Sequence, residues 1–134
     1  MTSTAMALAG LIGWHLFLSL LIFGPRGMAF LFKGRAPNTY SPDGSGEPAW
    51  AVRACRAQAN SYESFPFTGG ILLLALAASQ THVTNELASL MLAARVLQSV
   101  CHLISTSVIF VLARFAFYFV QWALAAYWLW LMAM

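Results

Sequence analysis

The stretch RACRAQANSYESFP, residues 53–66, places Arg53, Arg56, Asn60 and Glu63 within eleven positions. Guanidinium groups bind carboxylates, an amide both donates and accepts, and a carboxylate can hold an ammonium. At about 100° per residue these four side chains, with Ser64, fall within an arc of about 100° on a helix. Three further stripes share this helical spacing: Arg95, Gln98, Ser99 and His102; Arg114, Tyr118 and Gln121; and His15, Ser19, Arg26 and Lys33. The chemistry on offer is recognition of a small molecule that carries anionic groups and one cationic group.

The elements that must position these residues are apolar. The chain has 134 residues, 60% of them hydrophobic and 8% charged. A membrane span needs roughly 20 mostly apolar residues, and four such segments are expected, at about residues 5–32, 50–79, 85–106 and 108–133. They use nearly the whole chain, so 1–134 reads as one domain with no room for a separate soluble catalytic unit. The first segment lacks the basic start of a signal peptide and is too long for one, so it is expected to stay as the first helix. Gly24-Pro25 predicts a kink near its end. GRAPNTYSPDGSGEP, residues 34–48, is the one long loop, and Pro48 suits the first turn of the second helix. The other links, near 80–84 and 105–107, are short. Short links join antiparallel neighbours, so the expected fold is all-α, an up-down bundle of four transmembrane helices.

Arg26, Lys33, Arg35, Arg53 and Arg56 cluster around the first loop. Basic residues mark cytoplasmic loops, so that loop is expected to be cytoplasmic. The compact chain favours a bacterial inner membrane over the endoplasmic reticulum. Cys55 and Cys101 make no disulfide framework, and Cys55 reads as a small residue facing lipid or a neighbour. No spacing resembles a metal site or a phosphate loop, and no nucleic-acid partner is expected. His15 reads as a hydrogen-bonding residue inside the bundle and His82 as a solvated loop residue. Glu86 is expected at the start of the third helix, where a carboxylate suits the dipole.

Charge inside a membrane costs from about 2.5 kcal/mol per residue. One reading pairs Arg56 with Glu63 and makes the stripe glue between helices. The count favours another: five arginines, at 26, 53, 56, 95 and 114, are expected to face one buried acid, Glu63. Excess buried positive charge needs an anion to neutralise it. Glu63 would take an amine on the same ligand.

The run Arg56-Ala57-Gln58-Ala59-Asn60-Ser61-Tyr62-Glu63-Ser64-Phe65-Pro66, opening the second of four short helices, resembles the MAPEG family, the membrane-associated proteins in eicosanoid and glutathione metabolism. The resemblance spans the chain and is strongest over 50–102. It implies a homotrimer with glutathione as cosubstrate or ligand, held between subunits near the cytoplasmic side, and no metal. Arg56 would take a carboxylate, Asn60 and Glu63 the peptide and amine, and Gln58 would reach a site shared with a neighbour. Arg53, Arg95, Gln98 and His102 join the expected glutathione-binding set, with Arg26 and Lys33 as additional candidates. Partners implied are membrane lipids and an apolar second substrate arriving from the bilayer. The implied activity is conjugation of glutathione to an apolar electrophile or reduction of a lipid hydroperoxide. The alternative is a non-catalytic lipid-binding or scaffold member. A proton-coupled multidrug transporter also has four helices and a membrane glutamate, but the arginines beside Glu63 and the motif speak against it. Catalytic members stabilise the thiolate with an arginine near the start of the fourth helix. In unbroken register that position is Ile109, which leaves Arg114 as the catalytic candidate.

Overall fold

A computed structural model describes all residues from Met1 to Met134. The chain is entirely helical: α1 (Ser3–Lys33), a 3-10 turn (Pro37–Thr39), α2 (Ala49–Ala77), a single turn α3 (Thr81–Thr84), α4 (Ala88–Ile104) and α5 (Val108–Ala133). Two helices, α1 and α5, are long and apolar enough to cross a membrane. At 1.5 Å per residue α1 would extend about 46 Å and α5 about 39 Å.

Thr2 caps α1 by accepting from the Ala5 N–H. The helix continues through Pro25 to Lys33. Gly34 ends it at φ 65°, a left-handed conformation that glycine adopts without strain. Pro48 precedes α2 as its cap residue, and α2 continues across Pro66.

The third expected helix begins later than its hydropathy suggests. Asn85 Oδ1 accepts from both Thr4 N–H at 3.1 Å and Thr4 Oγ1 at 2.7 Å, and Thr4 Oγ1 also meets Thr84 Oγ1 at 2.7 Å. These bonds hold the link as a tight turn against the start of α1, so α4 starts only at Ala88. Glu86 stays exposed ahead of the helix rather than in its first turn. At the other end Ser105 is extended, with φ −159°, and stops α4.

Helix α1 packs on α2 and α4, α2 on α4 and α5, and α4 on α5. One hydrophobic core joins Ala7 and Leu11 of α1, Ile71 and Leu72 of α2, Ala88 and Met91 of α4, and Ala125 and Trp128 of α5. Starts of α1 and α4 thus meet ends of α2 and α5, so successive long helices run in opposite senses. Gly10 allows the close approach of α1 to α4, because a Cβ there would lie 2.5 Å from Leu92 Cδ2. The polar stripes fall toward the opposite end, nearer the first loop. Much of the outer surface is apolar, including Phe115, Phe119, Trp122 and Trp130 of α5. A patch of that extent needs lipid or a partner against it.

Candidate functional site

Helix α2 presents its polar residues to two different surroundings. Ser64 is buried and returns its hydroxyl to the helix, donating to Asn60 O at 2.7 Å. Arg56 and Glu63 are exposed on the outer flank. Glu63 is therefore not the buried acid the charge count suggested. The two-turn repeat that lines it up with Arg56 points both outward, while Ala57, Ser61 and Ser64 on the other side of α2 are buried. The two do not pair: the chain contains one ion pair, Arg35–Glu47.

Behind this flank lies Arg95, with 1% of its surface exposed. Its Nη1 donates to Asn60 Oδ1 at 2.7 Å, while Nε and Nη2 are buried without partners. A buried guanidinium beside a neutral amide is costly. The bond also fixes the Asn60 amide: with Oδ1 taken by Arg95, the NH2 group is left to serve elsewhere. Asn60 lines a recess of about 260 Å³ together with Glu63, Ser64, Phe67 and Tyr118. The recess thus offers an amide donor, a carboxylate acceptor and a phenol. Arg95 supports it from behind rather than facing it.

The remaining expected residues disperse. Arg53 Nε donates to Leu103 O at 2.8 Å, a cation on the carbonyl end of α4. Gln98 and Gln121 are both buried and pair across α4 and α5, with Gln121 Nε2 donating to Gln98 Oε1 at 2.8 Å. Arg114 Nη1 donates to His102 Nδ1 at 2.9 Å, which requires that nitrogen to be unprotonated. Gln58 is half-buried on another side of α2. His15 meets Ser61 Oγ at 3.4 Å and lines, with Glu63 and Tyr62, a second cleft of about 490 Å³ whose wall is apolar. His82 is exposed but belongs to the single turn α3 rather than to a loop.

The first loop forms a unit of its own. Arg26 Nη2 donates to Ser41 O at 3.0 Å and lies 3.7 Å from Cys55 Sγ. Cys55 is buried against Gly44, not turned outward. The guanidinium of Arg35 sits 3.8 Å from the centre of the Tyr40 ring and that of Arg26 at 4.9 Å. The Arg35 hydrogen bond, helped by its charge, holds the Glu47 carboxyl below its ordinary pKa. Bonds from Ser41 and Ser45 hold the Asp43 carboxyl well below the usual carboxylate range. Arg26 and Lys33 line this loop's cleft, which shares no residue with the Asn60–Glu63 recess. Tyr40 and Glu47 were not legible as functional partners; the one signal was their proximity to Arg35 in a loop of turn residues.

The MAPEG family model matches residues 4–134. The chain belongs to the MAPEG family. Neither the curated proteins nor the solved structures yield a match. Within this MAPEG chain the motif that carried the resemblance, Arg56 to Pro66, turns Arg56 and Glu63 to the outer flank of α2, buries Ala57, Ser61 and Ser64, and has Asn60 set by Arg95. Membership fits an integral membrane protein, in keeping with the two apolar helices.

Proposed function

We propose that this chain binds glutathione between adjacent subunits of a homotrimer, near the cytoplasmic face of a membrane that four of its helices cross. The observation that carries the reading is the open flank of α2: Arg56 and Glu63 lack ionic partners within the chain, and they flank an Asn60 donor held in place by Arg95. Glutathione carries two carboxylates, an ammonium and a thiol. Arg56 takes a carboxylate, Glu63 the ammonium, and the Asn60 amide a peptide carbonyl. Because these groups face outward, a neighbouring subunit is needed to close the site, and the exposed apolar surface of α2 and α5 gives that neighbour something to cover. The acceptor is an apolar electrophile or lipid hydroperoxide entering from the bilayer beside the apolar cleft next to Glu63.

A specific observation favours binding with little turnover. Ile109 is 72% exposed in the first turn of α5, and it can offer the thiol neither charge nor hydrogen bond. Arg114, the other candidate for that role, is occupied by His102. A free thiol has a pKa of about 8.5, so near pH 7 only a few per cent is the nucleophilic thiolate; a nearby cation raises that fraction roughly tenfold. Glutathione titration of the detergent-solubilised protein, with thiolate absorbance followed, tests both halves. Expected are saturable binding without thiolate formation in the wild type, and thiolate with measurable conjugation in Ile109→Arg. Absence of glutathione binding rejects the site. Fast wild-type turnover abolished by Arg114→Ala, with binding intact, assigns the thiolate to Arg114.

A further inference from the structure

We propose that the cleft between the end of α1, the first loop and the start of α2 binds the phosphate group of an anionic phospholipid. The cleft, about 190 Å³, is lined on its polar side by Arg26, Lys33, Arg35, Tyr40 and Glu47. Three cations thus meet one carboxylate. Arg35 takes Glu47 at 2.5 Å, which accounts for one of them. Arg26 bonds only to neutral groups, the Ser41 carbonyl and the Cys55 sulfur. Lys33, in the last turn of α1, is exposed. Two positive charges therefore remain without a counterion.

Tyr40 sharpens the case. Both the Arg26 and the Arg35 guanidinium lie against its ring, at 4.9 and 3.8 Å from the centre, and its hydroxyl is buried without a hydrogen-bond partner. Clustered cations repel unless an anion sits between or above them, and a phosphate oxygen would also accept from the phenol. The other wall is apolar, formed by Leu21, Ile22 and Trp50. Trp50 is 48% exposed, and Phe30, Leu31 and Phe32 of α1 are exposed nearby. A charged pocket bounded by apolar helix surface and an exposed tryptophan, at the end of a helix long enough to cross a bilayer, suits a molecule with an anionic head and hydrocarbon chains. The cleft volume suits the headgroup, while the chains would lie along α1. The proposal does not depend on the glutathione reading, since the two sites share no lining residue.

Native mass spectrometry of the detergent-purified full chain, titrated with phosphatidylglycerol or phosphatidylcholine, tests it. Phosphatidylglycerol is expected to bind about tenfold or more tighter than phosphatidylcholine, and each cation removed should weaken it about fivefold. Lys33→Gln should show the single loss and Arg26→Gln/Lys33→Gln the compounded one, with Tyr40→Phe also weaker than wild type. Arg26 anchors the loop, so if the double variant does not fold, the exposed Lys33 and the conservative Tyr40→Phe decide alone. Equal retention of the two lipids, or wild-type affinity in both Lys33→Gln and Tyr40→Phe, overturns the proposal. Inorganic phosphate binding as tightly as the lipid would make this a free-phosphate site instead. Displacement of phosphatidylglycerol by excess glutathione would merge the cleft with the thiol-peptide site, and so also overturn it.

Discussion

Along the α4–α5 seam polar side chains answer one another, whereas along the outer flank of α2 they do not. Gln98 meets Gln121 and His102 meets Arg114, each within one chain. Arg56 and Glu63 sit two helical turns apart with no ionic partner. Both regions place costly polar groups on helices with apolar surroundings. The seam recovers most of the cost internally, by hydrogen bonds between neighbours that leave only Gln121 Oε1 without a partner, and so serves packing. The flank leaves the cost standing, which is tolerable only if water, a ligand or another subunit meets it. The difference distinguishes structural polarity from polarity kept available for binding.

The largest expected effect tests the open side of that contrast. Glu63→Gln and Arg56→Ala should each weaken glutathione binding measured by calorimetry. Removing one partner of a desolvated charge pair costs about 2–5 kcal/mol, and the wet flank argues for the lower end, about 2 kcal/mol or some thirtyfold in affinity. Thermal stability should hardly change, because neither side chain supports the fold. A stability loss with binding intact would move these residues to the structural class.

The seam predicts the reverse pattern. Gln98→Leu should lower stability, because it leaves the buried Gln121 amide short of a partner, at a cost of about 1–3 kcal/mol. Gln98→Leu/Gln121→Leu should regain most of that loss, since replacing both partners by apolar groups is close to neutral. Thermal denaturation of the three variants in one detergent gives the coupling. If the double variant is no better than the single, the glutamines do not act as a pair.

The first-loop ion pair is only partly buried and lies outside the helical core, so it should give the smallest effect. Arg35 holds the Glu47 carboxyl below its ordinary value of 4.5, so the ionised form is favoured in the folded chain. Its contribution is present above that value and is lost as acidification protonates the folded carboxyl. Melting followed from neutral pH to below 4.5 should show a small acid-dependent loss that Glu47→Gln lacks. Identical acid profiles would mean that the pair does not stabilise the loop.

Helix existence was legible because long apolar runs leave little choice of conformation, and the family was legible because Arg56, Asn60, Glu63 and Pro66 keep a distinctive spacing. Side-chain partnership was not. Periodicity puts Arg95 and Gln98 on one stripe, but only the packing of α4 between α2 and α5 sends Arg95 to Asn60 and Gln98 to Gln121. Counting charges exposed the excess of arginine yet missed Glu47, because nothing in a turn-rich loop announces which way Arg35 folds back. The late start of α4 was hidden for a similar reason: it depends on Thr4, more than eighty residues away in sequence.

That same contact has a consequence for the order in which the molecule is made. Synthesis proceeds from the N-terminus, so α1 emerges early, while the residues that grip its first turn, Thr84 and Asn85, emerge only after α2 is complete. During that interval the start of α1 lacks the hydrogen bonds to Thr84 and Asn85. Its register against the later helices is then fixed when the α2–α4 link arrives, so a ribosome-bound chain truncated before Thr84 should hold α1 loosely and one extended through α4 should hold it in place.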